Sequence, residues 1–362
     1  MKLKNIITVL LCTVFILFLS AWCFFGPKQD YSESERRALA KFPEITWDNI
    51  SSGKFATAFE EYATDAFPMR DFFRSIKAYT RLGLFAQKDN NDLFLEDGHI
   101  GKLEYPASES MQDYAAKLFN KVFEENFPDA EVYFAMIPDK NQELADLKLD
   151  YEAYEIAMSQ KLPFATNISI RDLLSAEDYY FTDTHWRQDQ IIDVAQQIVA
   201  DMGKDLPQTY EEKVLKQDFY GVYAGQSAMN PDPDVITVLT NDTIEGLQVQ
   251  ILDMNKGNFR QSQVYDMTKA DSKDPYELFL SGNQPLVKIT NPANPAGGRL
   301  IVFRDSFGSS IAPLLAQAYG EVVLVDLRYL PSAYVGKLVD FSNADVLFMY
   351  STLLLNSSTG MK

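Results

Sequence analysis

The chain has 362 residues, enough for one large domain or two modest ones, and 46% of them are hydrophobic. That proportion supports a sizeable core and argues against disorder. The formal net charge is −18, from 51 acidic and 33 basic residues. Such a surface repels nucleic acid, and no basic patch with interleaved aromatic residues offsets it, so nucleic-acid binding is excluded.

The N-terminus carries Lys2 and Lys4 and continues as an uncharged, mostly apolar run from Asn5 to Phe25. A run of about 20 residues can span a bilayer as one helix, and lysines before it favour a cytoplasmic N-terminus with the remainder exported. A cleaved signal peptide is the alternative, but the bulky end of the run around Trp22 offers no small-x-small cleavage site. We therefore expect residues 1–27 to form a cytoplasmic tip and a single uncleaved anchor in the cell membrane.

Cysteine and histidine are scarce in this chain. Both cysteines, Cys12 and Cys23, lie inside the apolar run. The exported part therefore has no disulfide, no thiolate metal site and no cysteine nucleophile. Only two histidines occur, His99 and His185, so we predict no zinc or iron site and no cofactor.

Residues 28–90 are predicted to form a helical stem. Apolar residues recur at three-to-four spacing from Phe55 to Phe67, as on one face of an amphipathic helix, and a second helix is expected after Pro68. The simpler interpretation is a stem that packs on the rest of the chain. A surface that docks on a membrane partner is the alternative.

A hairpin is predicted over residues 93–101, because Asp97-Gly98 is a typical two-residue turn between short apolar runs. His99 lies beside this turn, with no pattern of acidic residues that would suggest a metal. We expect it to be a surface strand residue.

From about residue 111 helices alternate with short apolar runs, which are typical of buried parallel strands. We interpret residues 91–362 as one α/β domain whose mainly parallel sheet is covered on both faces, with 210–295 as a β-rich elaboration. In such sheets, sites gather at the carboxyl ends of the strands. The clearest strand runs are 132–137, 300–303, 322–325 and 346–350.

A first candidate for chemistry is the stretch 179–186, which contains His185 two residues after Asp183. In an extended segment, residues i and i+2 share one face. The Asp183 carboxylate can then reach Nδ1 of the imidazole, fix its tautomer and stabilise the imidazolium.

The second candidate is Ser306, which follows the strand run 300–303 and opens a helix. A helix N-terminus offers free N–H groups and a positive dipole to a developing oxyanion. With His185 as general base and Asp183 as its orienting carboxylate, the residue types of a serine acyl-transfer triad are present. The alternative is structural, because Ser306, Asp305 and Asp183 are also good helix N-caps.

The segment Thr182-Asp183-Thr184-His185-Trp186 resembles the Asp-His-His-Trp signature of the DHHW family, and Asp305-Ser306-Phe307 resembles its downstream serine motif. That family is similar to the alginate O-acetyltransferases, whose SGNH-hydrolase-like domain carries Asp-x-His first and the nucleophilic serine later. The sequence departs from the pattern at Thr184, Arg187 and Arg304. Further segments that look like the family are 34–37, 67–70, 138–140, 282–283 and 326–329.

The resemblance implies a three-layer α/β/α, SGNH-hydrolase-like (flavodoxin-like) fold and a membrane-anchored, extracytoplasmic O-acyltransferase. Ser306 would accept the acyl group, His185 would be its base and Asp183 the orienting group, with the Ser306 N–H in the oxyanion hole. A polysaccharide would be the acceptor, and a membrane-bound O-acyltransferase partner would deliver the acyl group. Residues expected to bind substrate or the oxyanion are Asn283, Trp186, Arg304, Arg328 and Tyr329.

Two other functions stay open at this point. The same triad serves an esterase that removes acetyl groups, because only competition between water and a sugar hydroxyl at the acyl-enzyme decides the outcome. A non-catalytic glycan-binding or assembly subunit could keep the fold with Ser306 and His185 far apart.

Overall fold

The computed structural model describes residues 3–207 and 209–362. They divide into two compact units, which are 3–91 with 224–230 and 92–223 with 231–362. Residues 224–230, assigned from the sequence to the 210–295 elaboration, cluster with the N-terminal unit instead. The three-part division of the chain at residues 27 and 90 stays a prediction.

Within the described residues, one helix is long and apolar enough to cross a membrane, α1 (Leu3–Phe25). Its most apolar window has a mean hydropathy of 2.6, and only 6% of that window is buried. It is therefore not a buried core helix, although a signal sequence would meet the same criterion of length and composition. The finding supports the predicted membrane anchor.

The two predicted stem helices are present, and they are short. Phe55, Phe59 and Tyr62 lie on one face of the first, as their spacing predicts, and all three rings contact Phe42. The elements after α1 are β1 (Tyr31–Ser32), β2 (Arg37–Ala38), α2 (Trp47–Ser51), α3 (Lys54–Asp65), α4 (Arg70–Tyr79) and a π-helical turn (Thr80–Leu84).

The second unit alternates helices and strands through most of its length. Its strands are β3 (Leu93–Glu96), β4 (His99–Lys102), β5 (Val132–Ile137), β6 (Thr166–Asn167), β7 (Glu211–Phe219), β8 (Asp234–Thr240), β9 (Gln248–Asp253), β10 (Asn258–Ser262), β11 (Leu286–Thr290), β12 (Arg299–Arg304), β13 (Glu321–Val325) and β14 (Ala344–Ser351). Its helices are α5 (Glu109–Asn126), α6 (Asn141–Leu144), α7 (Tyr151–Lys161), α8 (Ile192–Asp201), α9 (Val222–Ser227, which runs into the first unit), α10 (Asp242–Gly246), α11 (Gly308–Leu315), α12 (Val335–Leu338) and α13 (Thr352–Leu355). Short 3-10 turns occur at 171–173, 176–178, 188–190, 267–269, 275–278, 332–334 and 358–360.

The main sheet has eight strands in the order β10-β9-β11-β13-β12-β14-β5-β6. The five strands from β13 to β6 run parallel, whereas β11 is antiparallel to both of its neighbours and β10 is antiparallel to β9. Counted from β12, the parallel strands follow the order 2-1-3-4-5 of flavodoxin-like folds. The chain reaches this order as a circular permutation, because β5 and β6 come first in sequence.

Two hydrophobic cores lie on opposite faces of this sheet. Along β12, Leu300 and Val302 join the core that contains α8 and α11, whereas Ile301 and Phe303 join the core of α5, α7 and α12. Alternate side chains of a strand point to opposite faces, so a strand buried on both faces reads as a continuous apolar run. The predicted three-layer, mainly parallel α/β fold is confirmed.

The β3–β4 hairpin has the predicted turn, with φ of 47° at Asp97 and 83° at Gly98, both positive as its turn geometry requires. The prediction for His99 is wrong, because its side chain is fully buried rather than exposed. It stacks on the ring of Phe181 with centroids 4.2 Å apart. The hairpin packs on that segment, where Ile100 N–H donates to the Phe181 carbonyl at 2.8 Å.

Candidate active site

Ser306 lies in the short connection between β12 and α11, and its side chain is partly exposed. The neighbouring Asp305 carboxylate fixes this connection to the end of β14. Its Oδ1 accepts the N–H of Phe307 at 3.0 Å, and its Oδ2 accepts the N–H and the hydroxyl of Ser351 at 2.8 and 2.6 Å. Ser306 therefore stands at the carboxyl edge of the sheet, at the point where the strand order reverses, which is where doubly wound folds place their sites.

Arg304 supports the Ser306 connection from beneath. Its Nη1 donates to the Asp305 carbonyl and the Ser309 hydroxyl, both at 3.1 Å. Gly308 makes room for it, because a Cβ there would lie 2.7 Å from the Cβ of Arg304. The expectation that Arg304 contacts substrate needs correction, since its side chain is fully buried, and that burial lowers the pKa of the guanidinium.

His185 and Asp183 lie in a tight loop rather than in the extended segment expected from the sequence. Tyr179 and Trp186 close the loop as an antiparallel bridge, and Tyr180 N–H donates to the His185 carbonyl at 3.1 Å. Asp183 Oδ1 accepts the backbone N–H of His185 at 3.1 Å. This is the local hydrogen bond of an Asx turn, and it holds the carboxylate against the following imidazole.

The structure brings Ser306, His185 and Asp183 into one chain of hydrogen bonds, which we call the Asp–His–Ser relay. His185 Nδ1 is 2.5 Å from Asp183 Oδ1, and Nε2 is 2.8 Å from the Ser306 hydroxyl. With the proton on Nδ1, the ring donates to Asp183 and accepts from Ser306. Asp183 Oδ2 also accepts the N–H of Val222 at 2.8 Å. The imidazole and carboxylate are nearly buried, at 8% and 1% exposure, so water competes little for these bonds.

Lys140 holds the His185 loop from inside the protein. Its Nζ donates to the carbonyls of Tyr180, Phe181 and Asp183 at 2.8, 3.3 and 2.8 Å. The side chain is fully buried, and burial lowers the pKa of the ammonium to about 8. The segment 138–140 resembles the family in sequence, but no role was expected for Lys140.

Asp234, which was not predicted from the sequence, also holds the His185 loop, through hydrogen bonds between its carboxylate and the loop's backbone. Its carboxylate accepts the N–H groups of Phe181 and Thr182 at 2.7 and 2.8 Å and the Thr182 hydroxyl at 2.6 Å. Burial raises the pKa of this carboxyl. Asp234 begins β8 inside the 210–295 region, whose irregular pattern offered no signal for such a contact.

Trp186 does not have the substrate-binding position expected for it. The indole is fully buried, and its Nε1–H donates to the Phe307 carbonyl at 3.2 Å and the Ser310 hydroxyl at 2.9 Å. It therefore anchors the His185 loop to the segment that carries Ser306. A second aromatic residue, Tyr276, was missed in the sequence and stacks on the imidazole with centroids 3.8 Å apart.

Arg328, Asn283 and Tyr329 gather around Asp326, directly after β13. The Arg328 guanidinium binds both carboxylate oxygens of Asp326 at 2.9 and 2.7 Å and donates to Asn283 Oδ1 at 3.2 Å. Tyr329 is 48% exposed. Because β13 and β12 are parallel neighbours, this group leaves the same sheet edge as Ser306. None of the described hydrogen bonds links the group to Ser306, so its substrate-binding role stays a prediction.

The N–H of Ser306 stands at the beginning of α11, and none of the hydrogen bonds found among residues 3–207 and 209–362 uses it. The positive end of a helix dipole favours an anion there. Over the same residues, no group of three or more His, Cys, Asp or Glu side chains is arranged to hold a metal ion. In this arrangement the imidazole of His185 can accept a proton from the Ser306 hydroxyl, and the Ser306 N–H can bind an oxyanion.

No family model and no curated protein matches the sequence. Solved structures do match it. A DHHW family protein from Eubacterium siraeum has 20% sequence identity and a TM-score of 0.61, and the match covers 75% of this chain and 95% of that one. PatB1 of Bacillus cereus, in a structure with a sulfonyl adduct, has 20% identity, a TM-score of 0.59 and coverage of 74% and 97%. The resemblance predicted from the motifs is thus confirmed at the level of the fold, which this chain shares with a DHHW family protein and with PatB1.

Proposed function

We propose that the protein is a membrane-anchored, extracytoplasmic O-acyltransferase of the serine type. It transfers an acetyl group to a hydroxyl of a cell-surface or secreted polysaccharide, through an ester on Ser306. The single observation that carries the proposal is the Asp–His–Ser relay, with 2.5 Å between Asp183 and His185 and 2.8 Å between His185 and Ser306. Nucleophile, base and orienting carboxylate in hydrogen-bond contact are the signature of serine acyl transfer.

The reaction has two balanced halves. In the first, Ser306 Oγ attacks the carbonyl carbon of the donor ester while its proton passes to His185 Nε2, and the leaving oxygen of the donor takes that proton as the acyl–donor bond breaks. In the second, a sugar hydroxyl attacks the carbonyl carbon of the acyl-serine and gives its proton to Nε2, which returns it to Ser306 Oγ as the bond between that oxygen and the acyl group breaks. Asp183 stabilises the imidazolium in both halves, and the Ser306 N–H stabilises the oxyanion.

The fold comparison adds support of a chemical kind. The PatB1 structure carries a sulfonyl adduct, and such adducts form when a nucleophile attacks a sulfonyl electrophile. We propose that the corresponding nucleophile of this chain is Ser306. The same electrophile therefore offers a probe that does not depend on the unknown donor.

We further propose that α1 anchors the protein in the cell membrane, with its N-terminus in the cytoplasm and the relay outside. The length and apolar composition of α1 support a membrane span. A membrane-bound O-acyltransferase partner would deliver the acyl group to Ser306. This pairing follows from the resemblance in sequence motifs, and an anchored enzyme would stay beside such a partner.

The test uses the full chain in detergent micelles, an activated acetyl ester and a panel of oligosaccharides. Intact-mass analysis follows the acetyl adduct on the protein and acetylated sugar in solution. Ser306→Ala and His185→Ala are the informative variants. Ser357→Ala is the matched control, because Ser357 is an exposed serine with no contact to the relay.

We expect an adduct on the wild type and on Ser357→Ala, none on Ser306→Ala, and acetyl on at least one sugar. Ester turnover without transfer to any glycan would replace the transferase by an esterase. A folded protein without adduct or turnover, which still binds glycan, would refute the catalytic proposal and leave a binding subunit.

A further inference from the structure

The imidazole of His185 is held by contacts beyond the Asp–His–Ser relay. One face of the ring lies against Tyr276, with centroids 3.8 Å apart and ring planes 9° from parallel. The ring of Phe307 also contacts the imidazole, with centroids 4.9 Å apart and an angle of 53° between the ring planes. The ring is thus fixed by aromatic surfaces from two segments that are distant in sequence.

The hydroxyl of Tyr276 donates to the Ser310 hydroxyl at 2.9 Å. That oxygen also accepts the indole N–H of Trp186 at 2.9 Å, and it donates to the Phe307 carbonyl at 3.3 Å. A serine hydroxyl has one proton and two acceptor sites, so every hydrogen-bonding position of Ser310 is used. Ser310 is fully buried, as is Trp186, and Tyr276 is 4% exposed, so these bonds are made without competition from water.

These contacts connect the segments that carry His185 and Ser306 to each other through Tyr276, Trp186 and Ser310. Ser310 belongs to α11, the helix that follows Ser306. Trp186 is the next residue after His185, and Tyr276 covers the imidazole. A movement of the ring relative to Ser306 must therefore disturb either the stack or a bond at Ser310.

We infer that Tyr276 is a positioning residue, which holds the imidazole of His185 in register with the Ser306 hydroxyl, and that Ser310 is the joint that fixes Tyr276 to the nucleophile's helix. This inference rests on the proposed function. An aromatic face also favours the cationic imidazolium that proton transfer creates. Burial raises the pKa of the Tyr276 hydroxyl well above its ordinary value, so it keeps the proton that it donates to Ser310.

The simpler alternative is that Tyr276 only fills the core. Two readouts on the full chain in micelles separate the alternatives. The first is the second-order rate at which phenylmethanesulfonyl fluoride labels Ser306, followed by intact mass. The second is the NMR spectrum of the imidazole protons, which an aromatic face at this distance shifts upfield. Only two histidines contribute to that spectrum, and His99, stacked on Phe181, is the internal control.

Tyr276→Leu, which removes the aromatic face, should lower the labelling rate about 10- to 100-fold, as expected for a displaced catalytic group. The His185 signals should move downfield while those of His99 stay in place. Tyr276→Phe should keep the upfield shift. Tyr319→Phe is the matched control, because it removes the hydroxyl of another buried tyrosine, which donates to Asp345 Oδ2 near the beginning of β14 at 3.0 Å, and it should label at the wild-type rate.

The hydroxyl bond is tested separately, so that the inference does not depend on the folding of Tyr276→Leu. Tyr276→Phe and Ser310→Ala should each lower the rate by about 3- to 10-fold. The double variant should lose no more than Ser310→Ala alone, because Ser310→Ala already removes the contact that Tyr276→Phe removes. Wild-type rates in both single variants, or fully additive losses, would overturn the role of Ser310. Wild-type labelling by folded Tyr276→Leu would overturn the role of Tyr276. Absence of labelling in the wild type would refute the proposed function, while the NMR shift would still report whether Tyr276 orients the ring.

Discussion

The two histidines of this chain occupy regions that are alike in packing and different in polar partners. Both rings are buried, and both stack on an aromatic residue, His185 on Tyr276 at 3.8 Å and His99 on Phe181 at 4.2 Å. Both nitrogens of His185 are hydrogen-bonded. Among the residues that the structure describes, neither ring nitrogen of His99 has a hydrogen-bond partner, and an acidic oxygen of Glu177 is 3.6 Å from Nε2.

Burial and aromatic contact therefore do not by themselves give a histidine that can transfer a proton. Burial lowers the pKa of His99, with the charge of Lys140 acting in the same direction, and this keeps the ring neutral. At His185 an acceptor for one nitrogen and a donor for the other come from separate segments of the chain. Those partners, rather than the packing, make proton transfer to and from the ring possible.

The largest expected effect comes from removing the carboxylate that is hydrogen-bonded to His185. Asp183→Asn should lower the rate of Ser306 labelling by phenylmethanesulfonyl fluoride about 10²- to 10⁴-fold, because the imidazole loses its tautomer and its counter-charge. Glu177→Gln, the corresponding change beside His99, should leave that rate unchanged. Equal rates for Asp183→Asn and the wild type would show that the carboxylate does not act on the ring.

The next effect concerns Lys140, which supports the His185 loop through three backbone carbonyls. Lys140→Met keeps much of the volume but leaves those carbonyls without a donor, so it should lower the free energy of unfolding by about 2–5 kcal/mol. Chemical denaturation measures this loss. Lys121→Met is the control, because Lys121 is half-exposed on α5, and its loss should stay below about 0.5 kcal/mol.

The next effect is the pH dependence of stability that the buried carboxyl of Asp139 causes. Its Oδ2 has no hydrogen-bond partner among the described residues, and burial raises its pKa from 3.8 to about 6. Between these values the folded state holds a proton that the unfolded state has lost, so this group's contribution to stability falls as pH rises from 3.8 to 6. The free energy of unfolding of Asp139→Asn, relative to that of the wild type, should therefore increase by up to roughly 3 kcal/mol as pH rises over that interval.

The measurement for Asp139 is the difference in unfolding free energy between variant and wild type at pH 4, 5, 6 and 7. Asn keeps an acceptor for the N–H of Asn141, which Asp139 Oδ1 binds at 3.0 Å. A difference that does not change with pH would mean that Asp139 is ionised equally in both states.

The smallest effect is the pH dependence of stability caused by His99. Its direction is opposite to that of Asp139. The pKa of His99 is lower in the folded state than its ordinary value of 6.5, so below pH 6.5 the unfolded state binds a proton more readily than the folded state. The free energy of unfolding therefore falls as pH decreases. His99→Phe should remove this loss, so the stability of the variant relative to the wild type should increase as pH falls from 7 to 5. Thermal unfolding across that range checks it, and parallel curves would contradict it.

The sequence predicted those features that depend on local pattern. Short apolar runs marked the parallel strands, because burial on both faces leaves no polar positions. Asp97-Gly98 marked the hairpin, since both positions need positive φ. Ser306, His185 and Asp183 could be paired because histidine is scarce and the serine follows a strand at the sheet edge.

The remaining features depend on tertiary packing. Tyr276 and Asp234 reach the His185 loop from a region without periodic pattern, so nothing local indicates their partners. Arg304 and Trp186 were expected at the substrate only from the resemblance in sequence motifs. Their burial follows from the space left by Gly308 and from the acceptors supplied by α11, which only the folded chain reveals.

The Ser306 hydroxyl and the imidazole that contacts it, that of His185, are 121 positions apart in the chain. During synthesis His185 emerges well before the serine, and a serine hydroxyl without a base is a weak nucleophile. Contacts of such long range form late in folding, because the loop between them must first be closed. On the proposed function, the reactivity of Ser306 therefore arises together with the native structure.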